Sequence, residues 1–288
     1  MRFNLKRTFA LLLLILCFAS VAAPVTSAAM QNRIQFPTNA SNVTIYSGNA
    51  RVLEGNAAII DSVTYVGLRA FCDLFGEYNI SWNDRTKTAS VKADGFSLTA
   101  TSGDIYIYAN GRYLYTVGAV KIIDDRICVP IRPLAKALGV SVDWDGATRS
   151  ITLTKGNRNF AWADSYYNSD DLYWLSRIIS AEAKGESLKG QIAVGNVVMN
   201  RVRSKSYPNT IYGVIFDRKN GTQFSPVALG TIYQTPTASS IIAAKICLEG
   251  YSLSTDILFF MNPRIATNNW ISKNRPFAFA IGNHNFYT

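Results

Sequence analysis

One sequence unit occurs twice between residues 41 and 155, and this repeat constrains the fold more than any other feature of the chain. The first copy spans residues 65–91 and the second spans residues 128–153. Each copy runs from a short strand to a helix ended by glycine. A hairpin follows, with a tryptophan (Trp82 or Trp144) in its first strand. Residues 41–155 are therefore predicted to form a strand-rich α+β domain with an internal repeat.

The N-terminus has the pattern of a secretory signal peptide. Three basic residues at positions 2, 6 and 7 precede an apolar stretch of 14 residues at 10–23. This stretch is too short for a comfortable membrane span, and small residues at 26–28 resemble a cleavage site. We predict a signal peptide over residues 1–28, export, and no stable membrane span after cleavage. The alternative is an uncleaved anchor helix.

The charge of the chain indicates an anionic partner. The formal net charge is +10, of which three positive charges lie in residues 1–28. A basic exported protein suits an anionic polymer such as a Gram-positive cell wall. Export argues against nucleic acid, and the chain has no arginine-rich helix or zinc-ligand spacing that would support it. The sequence does not identify a protein partner.

The single histidine, His284, excludes most metal-dependent chemistry. Zinc enzymes and copper sites usually need two or three imidazoles, so we predict neither a metal nor another cofactor. Three cysteines lie beyond residue 28 and cannot all pair. Cys72 and Cys128 form either one bridge or two buried thiols.

From residue 171 onward the sequence period is helical. Two leucines, an isoleucine and Glu182 follow one another at spacings of three, four and three residues from position 172, so they share one helix face. Asp170 or Asp171 is predicted to cap this helix, Gly185 to end it and Ser187 to cap a second helix. Residues 156–170 are polar and are predicted to form a linker. Because the segment also contains aromatic residues, the alternative is that it packs against one of the domains.

Glu182 lies at the C-terminal end of this apolar stripe, where a carboxylate is normally avoided. Burial and the negative end of the helix dipole both disfavour the charged form, so the pKa is expected to rise. A carboxylic acid that stays protonated near neutral pH can protonate the leaving oxygen of a glycosidic bond. The alternative is a structural glutamate bonded to backbone amides.

The stretch from residue 175 to 194, followed by Asn200-Arg201, resembles the opening of the SleB/CwlJ-type cell-wall hydrolases. Further matches reach the segment 282–287 in family order. The resemblance implies a lysozyme-like, mainly helical α+β domain over residues 171–288 that cleaves peptidoglycan between N-acetylmuramic acid and N-acetylglucosamine. It also implies that Glu182 is catalytic and that spore cortex degraded at germination is a possible substrate.

The same resemblance supplies candidate substrate-binding residues. Polar side chains could fix the N-acetyl and hydroxyl groups, and aromatic side chains could stack on sugar faces, although core packing is the better expectation for each aromatic. The candidates are Glu186, Gln223, Phe224, Ser225, Tyr233, Asn262 and Trp270. For Glu186 a structural role is slightly favoured over a place in the cleft. His284 is expected to be structural.

The type of cleavage depends on whether a second carboxylate assists Glu182. Retaining and inverting hydrolases need two, whereas a lytic transglycosylase needs one, because the 6-hydroxyl of the sugar attacks. No partner is evident apart from Glu186, which favours the transglycosylase. Two rivals remain: a cysteine peptidase using Cys247 and His284, and a catalytically silent wall-binding protein. A thiol late in a helix, like that of Cys247, lacks the usual activation.

Most of the repeat domain, residues 41–155, resembles the domain named after the N-terminus of copper amine oxidases, through a V-x-[LI]-R…G…W…T-[KR]-[TS] pattern. One histidine cannot supply the imidazoles of a copper oxidase, so oxidase activity is excluded. The domain is expected to position the enzyme or bind the wall, or to act as a passive spacer. Trp82 and Trp144 are expected to lie in the core rather than to serve as sugar platforms.

Overall fold

A computed structural model describes residues 33–157, 159–219 and 221–288. Residues 34–288 form one compact unit. The predicted signal peptide lies outside the described residues. Within them, no helix has both the length and the apolar character needed to cross a membrane.

The N-terminal domain contains thirteen short strands and two helices. They are β1 Thr44–Ser47, β2 Ala50–Val52, β3 Ala57–Ile60, β4 Val63–Gly67, α1 Leu68–Asp73, β5 Asn79–Asn83, β6 Thr88–Ala93, β7 Phe96–Thr101, β8 Tyr106–Ala109, β9 Arg112–Tyr115, β10 Lys121–Ile123, β11 Arg126–Pro130, α2 Ile131–Ala137, β12 Val140–Asp145 and β13 Ser150–Lys155. They make three sheets, ordered β12-β13-β1-β2, β10-β11-β4-β3 and β5-β6-β7-β8-β9. The strand-rich α+β prediction is confirmed.

The sequence repeat is also a structural repeat. The first copy is β4-α1-β5-β6 and the second is β11-α2-β12-β13. The two copies meet where β4 and β11 pair antiparallel, with Val66 opposite Val129. Both of these valines are fully buried, as are Leu68 and Leu134 on the two helices. One apolar core therefore lies beneath both copies.

Two side-chain expectations for this domain are now decided. Cys72 and Cys128 are free thiols rather than a bridge, and burial raises the pKa of each to about 12. The expectation that Trp82 and Trp144 lie in the core is wrong, because their side chains are 45% and 43% exposed. Each sits in the first strand of its hairpin near the turn, beyond the part of the sheet that the core covers.

The C-terminal domain is mainly helical with one small sheet. Its elements are α3 Ala163–Tyr166, α4 Ser169–Ala183, α5 Leu188–Arg203, α6 Ile211–Ile215, α7 Ser225–Ala228, a 3-10 turn Thr231–Tyr233, α8 Ala238–Leu248, β14 Phe259–Met261, α9 Trp270–Asn274, β15 Phe277–Ile281 and β16 His284–Tyr287. The sheet order is β14-β16-β15, antiparallel throughout. The predicted mainly helical α+β class is confirmed.

Capping explains where the two long helices begin. The side chain of Asn168 accepts hydrogen bonds from the backbone N–H groups of Asp170 and Asp171, so Asn168 is the cap of α4 and the two aspartates are in its first turn. The predicted cap was therefore two or three residues too late. Ser187 caps α5 as predicted, by accepting from the backbone N–H of Gly190.

The segment predicted as a linker, residues 156–170, is packed rather than extended. It contains α3 and the start of α4. The rings of Phe160 and Tyr166 lie 3.8 and 3.4 Å from the guanidinium carbon of Arg112 in β9. Asn110 donates to the carbonyl of Phe160 at 2.8 Å. These contacts fix the segment to the N-terminal domain.

A buried ionic cluster joins the two domains around Glu249, which follows α8. Arg112 donates to both of its carboxylate oxygens, at 2.7 and 2.8 Å. Lys136 of α2 lies 2.8 Å from one oxygen, and the hydroxyl of Tyr167 donates to the other at 2.8 Å. Burial alone would raise the pKa of Glu249, but the hydrogen bonds from Arg112 and Lys136 outweigh it and hold that pKa below its ordinary value.

Further contacts surround this cluster. Lys245 of α8 donates to the carbonyl of Gly111 at 3.0 Å, and the rings of Tyr115 and Tyr251 stack at 3.8 Å. The N-terminal domain is therefore tied directly to the helix α8, which packs against α4 and α5 in the C-terminal domain.

Candidate active site

Glu182 lies in the last turn of α4, one residue before the helix ends. The buried face of this helix includes Leu175, Ile178 and Ile179, all fully buried in the core of the domain. Glu182 continues that face and is partly buried. Burial raises the pKa of Glu182 to about 7, and the positive charge of Arg201 opposes this rise without cancelling it. The carboxyl is thus poised to exchange a proton near neutral pH.

Arg201 is the cation of this site, and it is fixed from several sides. It lies on α5 with only 5% of its surface exposed. Its Nε donates to the carbonyl of Leu258 at 2.8 Å, and its Nη1 donates to Oε1 of Gln223 at 3.5 Å. Burial lowers the pKa of Arg201, which the charges of Tyr207, Asp217 and Glu182 oppose. A fixed positive charge beside Glu182 would stabilise the carboxylate left after proton transfer.

Sequence reasoning gave no role to Arg201. In the sequence, the Asn200-Arg201 pair stands out only as a match to the family pattern. A buried arginine on a helix with apolar neighbours is itself a signal, because arginine is almost never fully buried without a partner.

Glu186 is hydrogen-bonded to the turn between β15 and β16. Its Oε2 accepts from the backbone N–H of Asn283 at 3.2 Å, and its Oε1 accepts from Nδ2 of Asn283 at 2.9 Å. A Cβ added to Gly282 would lie 1.9 Å from Oε2, so the carboxylate fills the space beside that glycine. Both oxygens hold the turn between β15 and β16 against the loop that precedes α5. Of its two predicted roles, the structural one has the better support.

Gln223, Phe224 and Ser225 take three different positions. Gln223 is partly buried and bonded to Arg201, which brings it to the Glu182 site. Phe224 is only 2% exposed and belongs to the core, so neither face of its ring is open to a sugar, contrary to its predicted role in substrate binding. Ser225 is exposed at the start of α7.

Tyr233 belongs to an exposed aromatic group on the helices. Its ring is 62% exposed and lies 6.2 Å from that of Trp174 on α4. Tyr173 and Tyr212, also exposed, lie edge-on to the same tryptophan at 4.9 and 5.5 Å. Aromatic faces open to solvent are the surfaces on which sugar rings can stack.

Asn262 and Trp270 lie near the small sheet. The side-chain oxygen of Asn262 accepts from the backbone N–H of Arg264 at 3.0 Å, so it stabilises the turn after β14. Trp270 is 49% exposed at the start of α9, and the guanidinium of Arg275 lies 5.4 Å from its ring. Trp270 keeps an open face, whereas the carbonyl of the Asn262 side chain is already in use.

Cys247 and His284 are not arranged as a catalytic pair. Cys247 is 1% exposed between α8 and α5, and burial raises the pKa of its thiol to about 12. His284 is 6% exposed, and its ring lies edge-on to Phe260, 5.3 Å away. Its Nδ1 is 4.0 Å from Glu186, and burial lowers the pKa of this histidine. Across the described residues no group of histidine, cysteine and carboxylate side chains is placed to hold a metal ion.

Comparison with known proteins covers both domains. Residues 185–287 match the cell wall hydrolase family, and residues 45–153 match the copper amine oxidase N-terminal domain. The hydrolase match begins three residues after Glu182. The choice of Glu182 as candidate catalytic acid therefore rests on its position in the sequence and on the geometry of the site.

Several relatives are spore cortex-lytic enzymes. The enzyme of Bacillus cereus is 27% identical over 81% of this chain and 93% of its own length. That of Oceanobacillus iheyensis is 32% identical over 51% of this chain and 49% of its own length. That of Bacillus subtilis is 35% identical over 42% of this chain and 38% of its own length.

Among solved structures, the catalytic domain of the germination-specific lytic transglycosylase SleB from Bacillus anthracis is similar, with 37% identity and a TM-score of 0.39. The match covers 42% of this chain and 97% of that domain. The two family matches and the spore cortex-lytic relatives confirm both resemblances inferred from the sequence: the chain joins a copper amine oxidase N-terminal-like domain to a SleB/CwlJ-type hydrolase domain, and it is a cell-wall hydrolase.

Proposed function

We propose that this protein is an exported lytic transglycosylase that cleaves peptidoglycan between N-acetylmuramic acid and N-acetylglucosamine, with Glu182 as its acid. The observation that carries the proposal is the partly buried carboxyl of Glu182, whose pKa is raised to about 7 beside the fixed cation Arg201. Near neutral pH such a group exists in both its protonated and its ionised forms, as a residue that first gives and then takes a proton requires.

The proton balance of the reaction needs only this one carboxyl. Protonated Glu182 gives its proton to the glycosidic oxygen as the bond from that oxygen to C1 of the muramic acid breaks. The carboxylate that remains takes the proton of the C6 hydroxyl of the same sugar, whose oxygen then bonds to C1. The products are a 1,6-anhydromuramic end and a free 4-hydroxyl on N-acetylglucosamine, and no water is consumed.

The other carboxylates of the domain give less support to a two-carboxylate hydrolase. Glu186 is held by Asn283. Glu249 is buried in the ionic cluster between the domains. Asp217 is the carboxylate that acts on Arg201 together with Glu182, so it is the candidate partner if water attacks instead.

The relatives support a role in germination. The similar enzymes of Bacillus and Oceanobacillus are named for lysis of the spore cortex. We propose spore cortex as the preferred substrate of this chain and vegetative wall as the alternative. Export, which either substrate requires, rests on the predicted signal peptide.

Digestion of purified cortex and of vegetative sacculi tests the proposal. The wild type would be compared with Glu182→Gln and with the matched control Glu77→Gln, an exposed acid of the other domain. We expect anhydromuramic ends, identified by mass spectrometry, from the wild type and the control but not from Glu182→Gln.

Three other outcomes would overturn parts of the proposal. Reducing ends would mean hydrolysis and would direct attention to Asp217. Cut peptides with intact glycan would revive the cysteine peptidase. No product from any variant, together with retention on the wall, would support a silent wall-binding protein.

A further inference from the structure

The N-terminal domain has a groove beside Trp144 that none of the preceding chemistry uses. It has a volume of about 470 Å³ and lies between the hairpin β12-β13, the turn from β3 to β4 and the start of α2. This volume is within the range of small-ligand sites, roughly 300–1,000 Å³. Trp144 presents a side chain that is 43% exposed, and Ile151, its cross-strand partner, lines the groove beside it.

The charges of the groove have one sign. Both charged residues in its lining are arginines, Arg132 and Arg149. Arg132 donates to the carbonyl of Val142 at 3.4 Å, which holds it against the hairpin. Within the described part of the chain, the guanidinium of Arg149 makes no hydrogen bond or ion pair. A flat aromatic surface flanked by guanidinium groups suits a sugar that carries carboxylates.

The repeat supplies an internal comparison. Trp82 occupies the equivalent place in the first copy, is 45% exposed, and borders a groove of about 360 Å³. Lys87 there corresponds to Arg149, and both residues have left-handed backbones with φ of 51° and 52°. Asp84, however, lies 2.7 Å from Lys87 and neutralises it. The residue equivalent to Asp84 in the second copy is Gly146, so the cation there has lost its acidic partner.

We propose that the Trp144 groove is a second glycan site, which binds a carboxylate-bearing strand of peptidoglycan by stacking on Trp144 and by ion pairing with Arg132 and Arg149. The choice of peptidoglycan rests on the proposed function, whereas the location and the anionic character of the ligand rest on the groove itself. The N-terminal domain is tied to α8 through Glu249 and its partners. A glycan strand bound in the groove is therefore held by the same compact unit that carries Glu182.

Co-sedimentation with purified sacculi tests the site, with the full chain carrying Glu182→Gln so that the wall is not degraded. In that background we expect Trp144→Ala and Arg149→Gln each to raise the sacculus concentration for half-binding by about threefold to tenfold. Trp82→Ala is the matched control and should change it less than about twofold. Trp144→Tyr should retain binding, and all variants should keep the thermal midpoint of the background.

Four results would overturn the proposal. The first is wild-type-like binding by both Trp144→Ala and Arg149→Gln, and the second is an equal loss on Trp82→Ala. The third is equal affinity for chitin, an uncharged N-acetylglucosamine polymer, which would remove the role of the arginines. The fourth is a concentration-dependent dimer that Trp144→Ala abolishes, because a second copy would then fill the groove.

The experiment separates this inference from the proposed function. If the wild type releases no glycan fragments but binds sacculi through Trp144, the function fails and the second site stands. If it releases anhydromuramic fragments and Trp144→Ala binds normally, the function stands and the site fails.

Discussion

At the scale of single residues, the chemistry depends on a conflict at Glu182 between function and stability. The carboxyl has an ordinary pKa of 4.5 and a folded-state pKa of about 7 because burial disfavours its charge. A raised folded-state pKa stabilises the fold fully below pH 4.5, and this stabilisation is lost as the pH rises through 7. The carboxyl that the reaction needs therefore destabilises the folded state in alkaline solution.

Glu182→Gln should consequently be more stable than the wild type at high pH. The shift corresponds to at most about 3 kcal/mol between the two limits. We expect the variant to gain little at pH 4.5 and progressively more up to pH 8, measured as the difference in thermal midpoints. A difference that does not change with pH would mean that Glu182 is not buried in its charged form.

The activity of the wild type should show the same titration. Because the acid form of Glu182 is required, we expect the rate on solubilised glycan strands to fall as the pH rises through about 7. A pH–rate profile of kcat/KM measures this limb. An alkaline limb that begins above pH 9 would contradict Glu182 as the general acid.

At the scale of elements, the sequence predicted the periodic features and missed those made by tertiary contact. The repeat, the helix carrying Glu182 and the Ser187 cap were all predictable from local spacing. The exposure of Trp82 and Trp144 was not, since a strand pattern does not say how far the core extends beneath a hairpin. The bond between Glu186 and Asn283 was equally hidden, because these residues lie far apart in the sequence.

Substitution of Gly282 tests the contact between Glu186 and the turn that contains Asn283. The φ of Gly282 is +57°, and a Cβ there would lie 1.9 Å from Oε2 of Glu186, so Gly282→Ala must strain the backbone and displace the carboxylate. We expect a loss of about 1–3 kcal/mol in the free energy of unfolding, measured with urea. Gly185→Ala is the control, because a Cβ at that position would meet no atom within 4 Å. Equal losses from the two variants would remove the structural role of Glu186.

At the scale of the whole molecule, the two domains behave as one unit because a buried charge requires partners from both. Glu249 follows α8, and nothing in the sequence around it identifies Arg112 as its partner. The side chain of Glu249 is 2% exposed and that of Arg112 is 5% exposed. A pair buried to this extent stabilises the fold only while it is intact.

Removing one member of this pair should therefore uncouple the domains. We expect Arg112→Met to cost about 3–5 kcal/mol and to split urea unfolding, followed by circular dichroism and tryptophan fluorescence, into two transitions. Lys136→Met removes a cation from the same carboxylate, but its side chain is 44% exposed, so it should cost less than about 1 kcal/mol and leave one transition. The double variant Arg112→Met/Glu249→Leu should recover part of the loss, since no unpaired charge is then buried. If Arg112→Met and Lys136→Met shift the midpoint equally, the coupling would have to come from the aromatic contacts, beginning with the stacked pair Tyr115 and Tyr251.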